Sequence, residues 1–211
     1  MKCLICSEVC DSFDDEKYAI SYYRCGMCHC IFKSPDLHQG YDEQKERYDL
    51  HQNVEESEGY QAYFRRFLDY ILPLTDNPKS ALDFGCGVTS LLATMLAEEG
   101  IDCDVYDPIY HSDSSYQKKR YDLIVSVEVF EHLHHPKEVF EHLLSKLNRR
   151  GYLAIQTQFH YDDIERFLSW HYRLDPTHIV FFDAETFRRL TDRYDCEYRG
   201  DNGKNMVVIR R

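Results

Sequence analysis

The sequence has few positive charges and no long apolar stretch. Its 211 residues hold 25 Lys and Arg against 37 Asp and Glu, so the formal net charge is -12. A chain this acidic is repelled by phosphate groups unless its cations cluster, which makes nucleic acids and anionic membranes poor partners. No apolar run approaches the roughly 20 residues of a membrane helix, and the first residues lack the apolar core of a signal peptide. These absences predict a cytoplasmic protein without a membrane span.

The chain divides into three zones. Residues 1–36 contain six of the nine cysteines, residues 37–59 form a polar, charge-dense connector, and residues 60–211 alternate between helical and strand-like patterns. Apolar residues make up 43% of the composition, which suits one medium-sized domain with a small appendage. Clustered cysteines in an odd total number do not suit a secreted disulfide framework and favour metal ligands.

Helix and strand patterns alternate from residue 60 onward, and a hairpin signal at Asn202-Gly203 lies near the end of the sequence. Predicted helices cover residues 60–72, 89–99, 136–147 and 185–194, and predicted strands cover residues 81–84, 101–105, 123–127, 152–157, 196–199 and 206–209. This alternation predicts an α/β fold with a mostly parallel sheet and one antiparallel strand.

A glycine-containing turn follows the first predicted strand of this region. The segment Asp83–Gly87 reads DFGCG, and glycines at a strand-to-helix turn let the backbone approach a ligand closely. Asp107 follows at the end of the next predicted strand, where a carboxylate can accept hydrogen bonds from both hydroxyls of a ribose. Strand, loop, helix, strand and acid therefore occur in the order of a nucleoside-binding site.

These residues, with the run Tyr121–His132 (YDLIVSVEVFEH) and with Gly151 before a further strand, resemble the class I S-adenosylmethionine-dependent methyltransferases. The resemblance covers residues 60–211 and implies a Rossmann-like sheet, S-adenosylmethionine as cofactor and methyl transfer as the reaction. It implies that the glycine loop holds the methionine part of the cofactor, that the later acid holds the ribose, and that the end of the fourth strand borders the sulfonium. The cofactor-binding residues that it implies are Asp83, Gly85, Cys86, Gly87, Asp107, Pro108, Val127 and Glu128.

The glycine loop departs from the nucleotide-binding pattern at its third glycine, which is replaced near Thr89. A nicotinamide-binding domain is the nearest competing interpretation, and it needs that glycine to fit the diphosphate. Since S-adenosylmethionine carries no phosphate, the departure favours the methyltransferase.

A second departure lies between Asp107 and Tyr121, which are separated by only 13 residues. The family usually places a helix and a further strand there, so we expect this unit to be shortened or lost. Candidates to close the adenine pocket instead are Ile109, Tyr110 and Ser126.

Two cysteine pairs near the start of the sequence have the spacing of a zinc site. Each pair has the form Cys-x-x-Cys, and 18 residues separate the two pairs. Two such pairs, called knuckles, complete a tetrahedral four-thiolate site. Residues 1–36 thereby resemble a zinc ribbon. A redox dithiol would need only one pair. The predicted zinc ligands are Cys3, Cys6, Cys25 and Cys28, and the surplus candidates are Cys10, His29 and Cys30.

A cluster of acids and histidine follows the fourth strand of the predicted sheet. Glu128, Glu131 and His132 share one face if a helical turn begins there, and two carboxylates with an imidazole suit a divalent cation such as magnesium. The triplet resembles the metal-binding motif of ubiquinone-pathway O-methyltransferases and of small-RNA 2′-O-methyltransferases, which implies His178 as a fourth ligand. Glu128, His132 and His178 are thereby the predicted catalytic residues. Without metal, Glu128 touches the cofactor, Glu131 is solvated and His132 acts as a cap or a base.

Two further segments have open roles. The aromatic segment 170–182 follows the fifth strand, where it builds either an acceptor lid or core packing, and Arg173 within it fits either role equally. The connector contains a stretch that resembles a cofactor-covering segment of uncharacterised bacterial methyltransferases, although a solvated helix explains it nearly as well. Its residues are Arg47, Tyr48, His51, Gln52 and Asn53.

Three functions remain in competition at this point. The leading hypothesis is methyl transfer from S-adenosylmethionine to a small-molecule acceptor, with a hydroxyl and divalent-metal assistance as one form. The second is an RNA methyltransferase that uses the ribbon to grip RNA, which the net charge disfavours. The third is a non-catalytic, zinc-scaffolded binding module, which the short segment after Asp107 keeps open.

Overall fold

A computed structural model describes residues 1–38 and 58–211 of the chain. The strands of these residues are β1 (Asp11–Asp15), β2 (Ile20–Arg24), β3 (Ile31–Lys33), β4 (Ser80–Phe84), β5 (Asp102–Tyr106), β6 (Tyr121–Val127), β7 (Leu147–Gln156), β8 (Val180–Phe181), β9 (Glu197–Asp201) and β10 (Met206–Arg210). The α-helices are α1 (Glu58–Ile71), α2 (Leu91–Glu98), α3 (Pro136–Lys146), α4 (Ile164–Ser169) and α5 (Ala184–Arg193). Short 3₁₀ turns cover Pro35–Leu37, Leu72–Leu74, Ser114–Lys118, Phe130–His132 and His171–Leu174.

The larger sheet has six strands in the order β5-β4-β6-β7-β10-β9. The first four run parallel to one another, and β10 runs antiparallel to both of its neighbours. The predicted α/β fold with one antiparallel strand is thereby confirmed. Predicted and observed bounds agree within two residues except at β7, which begins at Leu147 because a register shift after Tyr121 lets the strand start earlier.

The connection between β5 and β6 is as short as the sequence predicts. Asp107 and His111 form a bridge, and the 3₁₀ turn Ser114–Lys118 takes the place of a helix and strand. Tyr116 from this turn is buried with its ring 4.6 Å from that of Tyr106. Strand β5 is therefore the edge of the sheet, and an aromatic cluster closes its face.

Apolar side chains fill both faces of the larger sheet. Phe67 and Leu96, from α1 and α2, are fully buried on one face, and Phe140 and Phe187, from α3 and α5, are fully buried on the other. Within residues 1–38 and 58–211, no helix combines the length and the apolar character needed to cross a membrane.

The smaller sheet joins the cysteine-rich segment to the larger domain. Its order is β1-β2-β3-β8, and all three pairings are antiparallel. Strand β8 pairs through Val180 and Phe181 with Phe32 and Ile31 of β3. Strand β8 is not among the predicted strands, because two residues of a non-local pairing carry no periodicity. The predicted domain bounds stay a prediction, and most of the connector at 37–59 lies outside the described residues.

An aromatic cluster fixes this junction. Phe167 of α4 is fully buried, with its ring 5.1 Å from Tyr22 of β2 and 5.3 Å from Phe181 of β8. Phe13 of β1 stacks on Tyr22 at 5.4 Å. The ribbon therefore packs on the larger domain through rings as well as through backbone pairing.

Replacing Phe167 with alanine is predicted to lower the free energy of unfolding by about 3–5 kcal/mol, since it leaves a cavity at this junction. The matched control is Ile164→Ala on the same helix, where the side chain is 39% exposed. The control is expected to change stability by no more than about 0.5 kcal/mol. Denaturant titration measures both variants, and equal effects would contradict the packing account.

Candidate active site and cysteine cluster

The glycine loop lies between β4 and α2 with two glycines in left-handed conformation. Gly85 has φ +82°, and a Cβ built there would lie 2.3 Å from Cγ2 of Val129, just beyond β6. Gly87 has φ +65°, and nothing lies within 4 Å of where its Cβ would stand. The loop therefore packs tightly at Gly85 and leaves open space at Gly87, which suits close approach of a ligand to the backbone.

Asp107 ties the glycine loop to the turn that follows β5. Its Oδ1 accepts hydrogen bonds from the backbone amides of Ile109 at 2.8 Å and Tyr110 at 3.0 Å. Its Oδ2 accepts one from the amide of Gly87 at 3.3 Å. Since a carboxylate oxygen accepts about two hydrogen bonds, Oδ2 can still receive a ribose hydroxyl. Pro108 is exposed in the same turn.

Burial changes the ionisation of two groups beside this loop. Asp83, at 3% exposure, has its pKa raised to about 7, first by loss of hydration and then by the negative charge of Asp107. Burial also raises the pKa of the Cys86 thiol to about 12, so this thiol is a poor nucleophile.

Glu128 follows β6 in a strained backbone conformation. Its φ is +53°, a left-handed value that a non-glycine residue adopts at a cost. Its Oε1 accepts a hydrogen bond from the Tyr63 hydroxyl at 2.7 Å, and its Oε2 lies 3.1 Å from the Tyr172 hydroxyl oxygen. Burial, followed by the charge of Glu131, raises the pKa of Glu128 to about 8.

Glu131 lies in the 3₁₀ turn Phe130–His132 and is completely buried. Its Oε1 accepts a hydrogen bond from the Tyr172 hydroxyl at 2.6 Å, whereas its Oε2 has no partner of ordinary geometry among the described residues. Burial raises the pKa of this carboxyl. The Tyr172 hydroxyl has one proton for two carboxylates, so it cannot satisfy Glu128 and Glu131 at once.

His132 and His178 lie side by side, with ring centroids 4.8 Å apart. Nδ1 of His132 is 3.0 Å from the carbonyl of Thr177, and Nδ1 of His178 is 2.9 Å from the carbonyl of Tyr172. A carbonyl only accepts, so each Nδ1 carries the proton and each Nε2 carries the lone pair. Burial and the neighbouring His132 lower the pKa of His178 to about 4, which keeps it neutral.

Three of the four predicted cation ligands come together. Glu131, His132 and His178 each offer an atom, and these atoms lie within 4.8 Å of one another. Glu128 is not in this group: the helical turn begins after it, and the Tyr63 hydroxyl donates to its carboxylate. The condition for all three motif residues to share one helical face, a turn that begins at Glu128, is therefore not met. The role of each residue stays a prediction.

The floor of this site is also polar. Buried side-chain atoms without a partner of ordinary geometry among the described residues include Ser126 Oγ, both amide atoms of Gln156, and Thr157 Oγ1. These side chains lie at the carboxyl ends of β6 and β7, where an α/β sheet binds its ligands. Of the residues considered for the adenine pocket, Ser126 is fully buried and the other two are half-buried.

The four cysteines of the two knuckles converge at the base of the ribbon. Their sulfur atoms all lie within 4.8 Å of one another, with Cys3 and Cys28 3.5 Å apart and Cys6 and Cys25 3.3 Å apart. This set has the donors of a four-thiolate zinc site. Cys10 and Cys30 are buried in the same segment but are not in this group.

The sequence profile of a family described as a methyltransferase domain matches residues 57–199. The chain belongs to this methyltransferase family. The enzyme class predicted from the glycine loop and the YDLIVSVEVFEH run is thereby confirmed.

Solved structures share the methyltransferase fold. An O-methyltransferase family protein from Burkholderia thailandensis superposes with a TM-score of 0.52 at 12% identity, over 80% of this chain and 62% of that one. Human N-acetylserotonin methyltransferase in complex with SAM gives a TM-score of 0.56 at 15% identity, over 81% of this chain and 57% of that one. The chain therefore spans about three fifths of these proteins, and the likeness shows the fold alone. No curated protein matches the sequence significantly.

The remaining predicted residues are those of the connector and Arg173, and two tyrosines near Glu128 were not predicted. The connector residues expected over the cofactor lie outside the described residues. Arg173 is 2% exposed and paired with Asp15, so it lies in the buried contact between the ribbon and the aromatic segment. Tyr63 and Tyr172 were missed as contacts of Glu128, because their hydroxyls come from segments distant in sequence. Apolar periodicity explained Tyr63, and only the aromatic density around Tyr172 hinted at a site.

Asp83→Asn is predicted to stabilise the cofactor-free methyltransferase above neutral pH. The unfolded carboxyl ionises near its ordinary pKa of 3.8 and the folded one near about 7, so the wild type loses stability as pH rises between these values. The asparagine variant lacks this loss, and each pH unit corresponds to about 1.4 kcal/mol at most.

Denaturant titration of both proteins from pH 5 to pH 8 measures the difference between their unfolding free energies. The difference is expected to grow up to about pH 7 and then level off. A difference that stays constant over this range would show that Asp83 is ionised in the folded protein throughout.

Proposed function

We propose that this methyltransferase moves the methyl group of S-adenosylmethionine to a hydroxyl of a small-molecule acceptor, at a site that holds a divalent cation. The observation that carries the proposal is the convergence of Glu131, His132 and His178 at the carboxyl end of β6. The glycine loop packs against Val129 in the same region, so donor and acceptor sites would adjoin.

The residues present fit the cofactor. The open space at Gly87 admits a ligand against the backbone, and Asp107 offers Oδ2 beside it. Glu128 accepts a hydrogen bond from the Tyr63 hydroxyl where β6 ends, which is the position that the family resemblance gives to the sulfonium. We therefore assign Glu128 to the cofactor rather than to the cation. The cofactor supplies an activated methyl group, so the chain mainly has to bind and orient both partners.

The residues also fit a cation. Both histidines donate Nδ1–H to backbone carbonyls, which is the outer hydrogen bond that metal-binding histidines usually make. A carboxylate oxygen of Glu131 completes a set of two imidazoles and one carboxylate. This set favours a first-row transition-metal ion, for which Mn²⁺ serves as the probe, over magnesium, which prefers oxygen ligands. A cation at this position would lower the pKa of an acceptor hydroxyl.

The ion pairs of the larger domain favour a small acceptor over RNA. Arg65 pairs with Glu99 at 2.5 Å, and Lys119 pairs with Asp104 at 2.7 Å. Similar pairs neutralise Arg188, Arg199 and Arg210. Since these five cations already have carboxylate partners, they attract a phosphate backbone less strongly than unpaired ones would.

Calorimetric titration of the protein with S-adenosylhomocysteine tests the cofactor site. Separate titrations with Mn²⁺ and with Mg²⁺ as the titrant test the cation site. We expect the nucleoside to bind and Mn²⁺ to bind more tightly than Mg²⁺. Absence of nucleoside binding would favour the non-catalytic binding module.

His178→Ala is predicted to weaken Mn²⁺ binding by at least about 10-fold, since it removes one of three donors. Affinity for S-adenosylhomocysteine is expected to stay within about twofold, because the glycine loop and Asp107 are unchanged. The control is His135→Ala, an exposed histidine at the start of α3. Equal Mn²⁺ affinity in the two variants would remove His178 from the site.

We propose further that the four converging cysteines bind one zinc ion. Cys3→Ser is predicted to lower the zinc content of the purified protein well below one ion per chain, since it removes one of four thiolates. Cys10→Ser changes a buried thiol outside the group and is expected to keep full zinc content. Metal analysis measures both, and full occupancy in Cys3→Ser would exclude the four-cysteine site.

A further inference from the structure

The segment from Tyr172 to Phe181 forms one side of the acceptor site. It supplies the Tyr172 hydroxyl to Glu131 and the imidazole of His178 to the proposed cation site. Its backbone is bound to the turn after β6, because the amide of Ile179 donates to the carbonyl of Glu131 at 2.8 Å. The position of this segment therefore decides whether the three donors meet.

The ribbon holds the same segment from its other side. The buried ammonium of Lys33 donates to the carbonyl of Asp175 at 2.6 Å, and the amide of Lys33 donates to the carbonyl of Ile179 at 2.9 Å. The pairing of β3 with β8 continues this contact. The segment thus lies between the ribbon and the end of β6.

Arg173 is the charged centre of this contact. Its guanidinium is 2% exposed and lies 2.5 Å from the carboxylate of Asp15 at the end of β1. It also donates to the Tyr22 hydroxyl at 3.0 Å and to the carbonyl of Leu168. A buried guanidinium is stable only with such partners, so the ribbon fixes where Arg173 can lie.

We infer that Arg173 is a positioning residue, and that Asp15 and Tyr22 of the ribbon act through it to hold Tyr172 and His178 against Glu131. The ribbon is then a structural part of the acceptor site rather than a separate appendage. The inference rests on the proposed function for the chemistry of that site. The positioning itself needs neither a bound cation nor a known acceptor.

The chain contains a natural reporter of this arrangement. Trp170 is the single tryptophan of the sequence, and its ring stacks on that of Tyr172 at 4.9 Å with an interplanar angle of 27°. The centroid of the Trp170 ring also lies 6.0 Å from that of the Phe181 ring. Tryptophan emission therefore reports on the segment without interference from other sites.

The test compares Asp15→Asn with Asp14→Asn, which changes the neighbouring exposed carboxylate of the same strand. In the zinc-loaded full chain, Asp15→Asn is expected to shift Trp170 emission to longer wavelength and to speed amide exchange within residues 170–181. It is also expected to weaken Mn²⁺ binding by about 10–100-fold, the usual effect of losing an outer support of a metal site. Asp14→Asn is expected to match the wild type in all three measurements.

Wild-type emission and exchange in Asp15→Asn would overturn the inference. If this variant does not fold, Tyr22→Phe replaces it, since it removes only the hydroxyl that receives Arg173. A smaller emission shift in the same direction is expected there, and unchanged emission would overturn the inference. If wild-type protein binds no Mn²⁺, the cation part of the proposed function fails, while emission and exchange still decide the positioning.

Discussion

The buried ion pair between Asp15 and Arg173 is the constraint on which the candidate acceptor site depends. A guanidinium at 2% exposure requires a carboxylate nearby, and that carboxylate comes from the ribbon. The pair fixes Arg173, and through its neighbours it fixes the segment that carries Tyr172 and His178. Backbone pairing of β3 with β8 and the ring packing around Phe167 act in the same direction. A small cysteine-rich module can thus give order to a segment that has little regular secondary structure of its own.

Much of the larger domain is readable from the sequence because its signals are local. Buried parallel strands appear as β-rich apolar runs, and the glycine loop with Asp107 marks where the first two of them end. The short connection after Asp107 was also predictable, since 13 residues leave no room for a helix and a strand. Strand β8 was not predictable, because its two residues gain their structure only by pairing with a segment about 150 positions away.

The candidate site also contains some residues that local sequence patterns predict and others that only contacts distant in sequence bring together. The spacing of the two cysteine pairs predicted the convergence of their sulfur atoms, since each knuckle is a local turn. The grouping of Glu131, His132 and His178 came from a family resemblance, and the geometry is consistent with it. Glu128 departs from that group because its left-handed backbone ends the strand before the 3₁₀ turn begins. The tyrosines that contact Glu128 were invisible in the sequence, because a hydroxyl contact across 65 or 44 positions leaves no periodic signal.

Diffraction from crystals grown with S-adenosylhomocysteine and Mn²⁺ tests the central claim most directly, with anomalous maps recorded at the zinc and manganese edges. The account predicts zinc among the four cysteine sulfurs, the nucleoside against the glycine loop, and manganese among Glu131, His132 and His178. A crystal with the nucleoside bound and no manganese at these three residues would contradict a metal-assisted acceptor site.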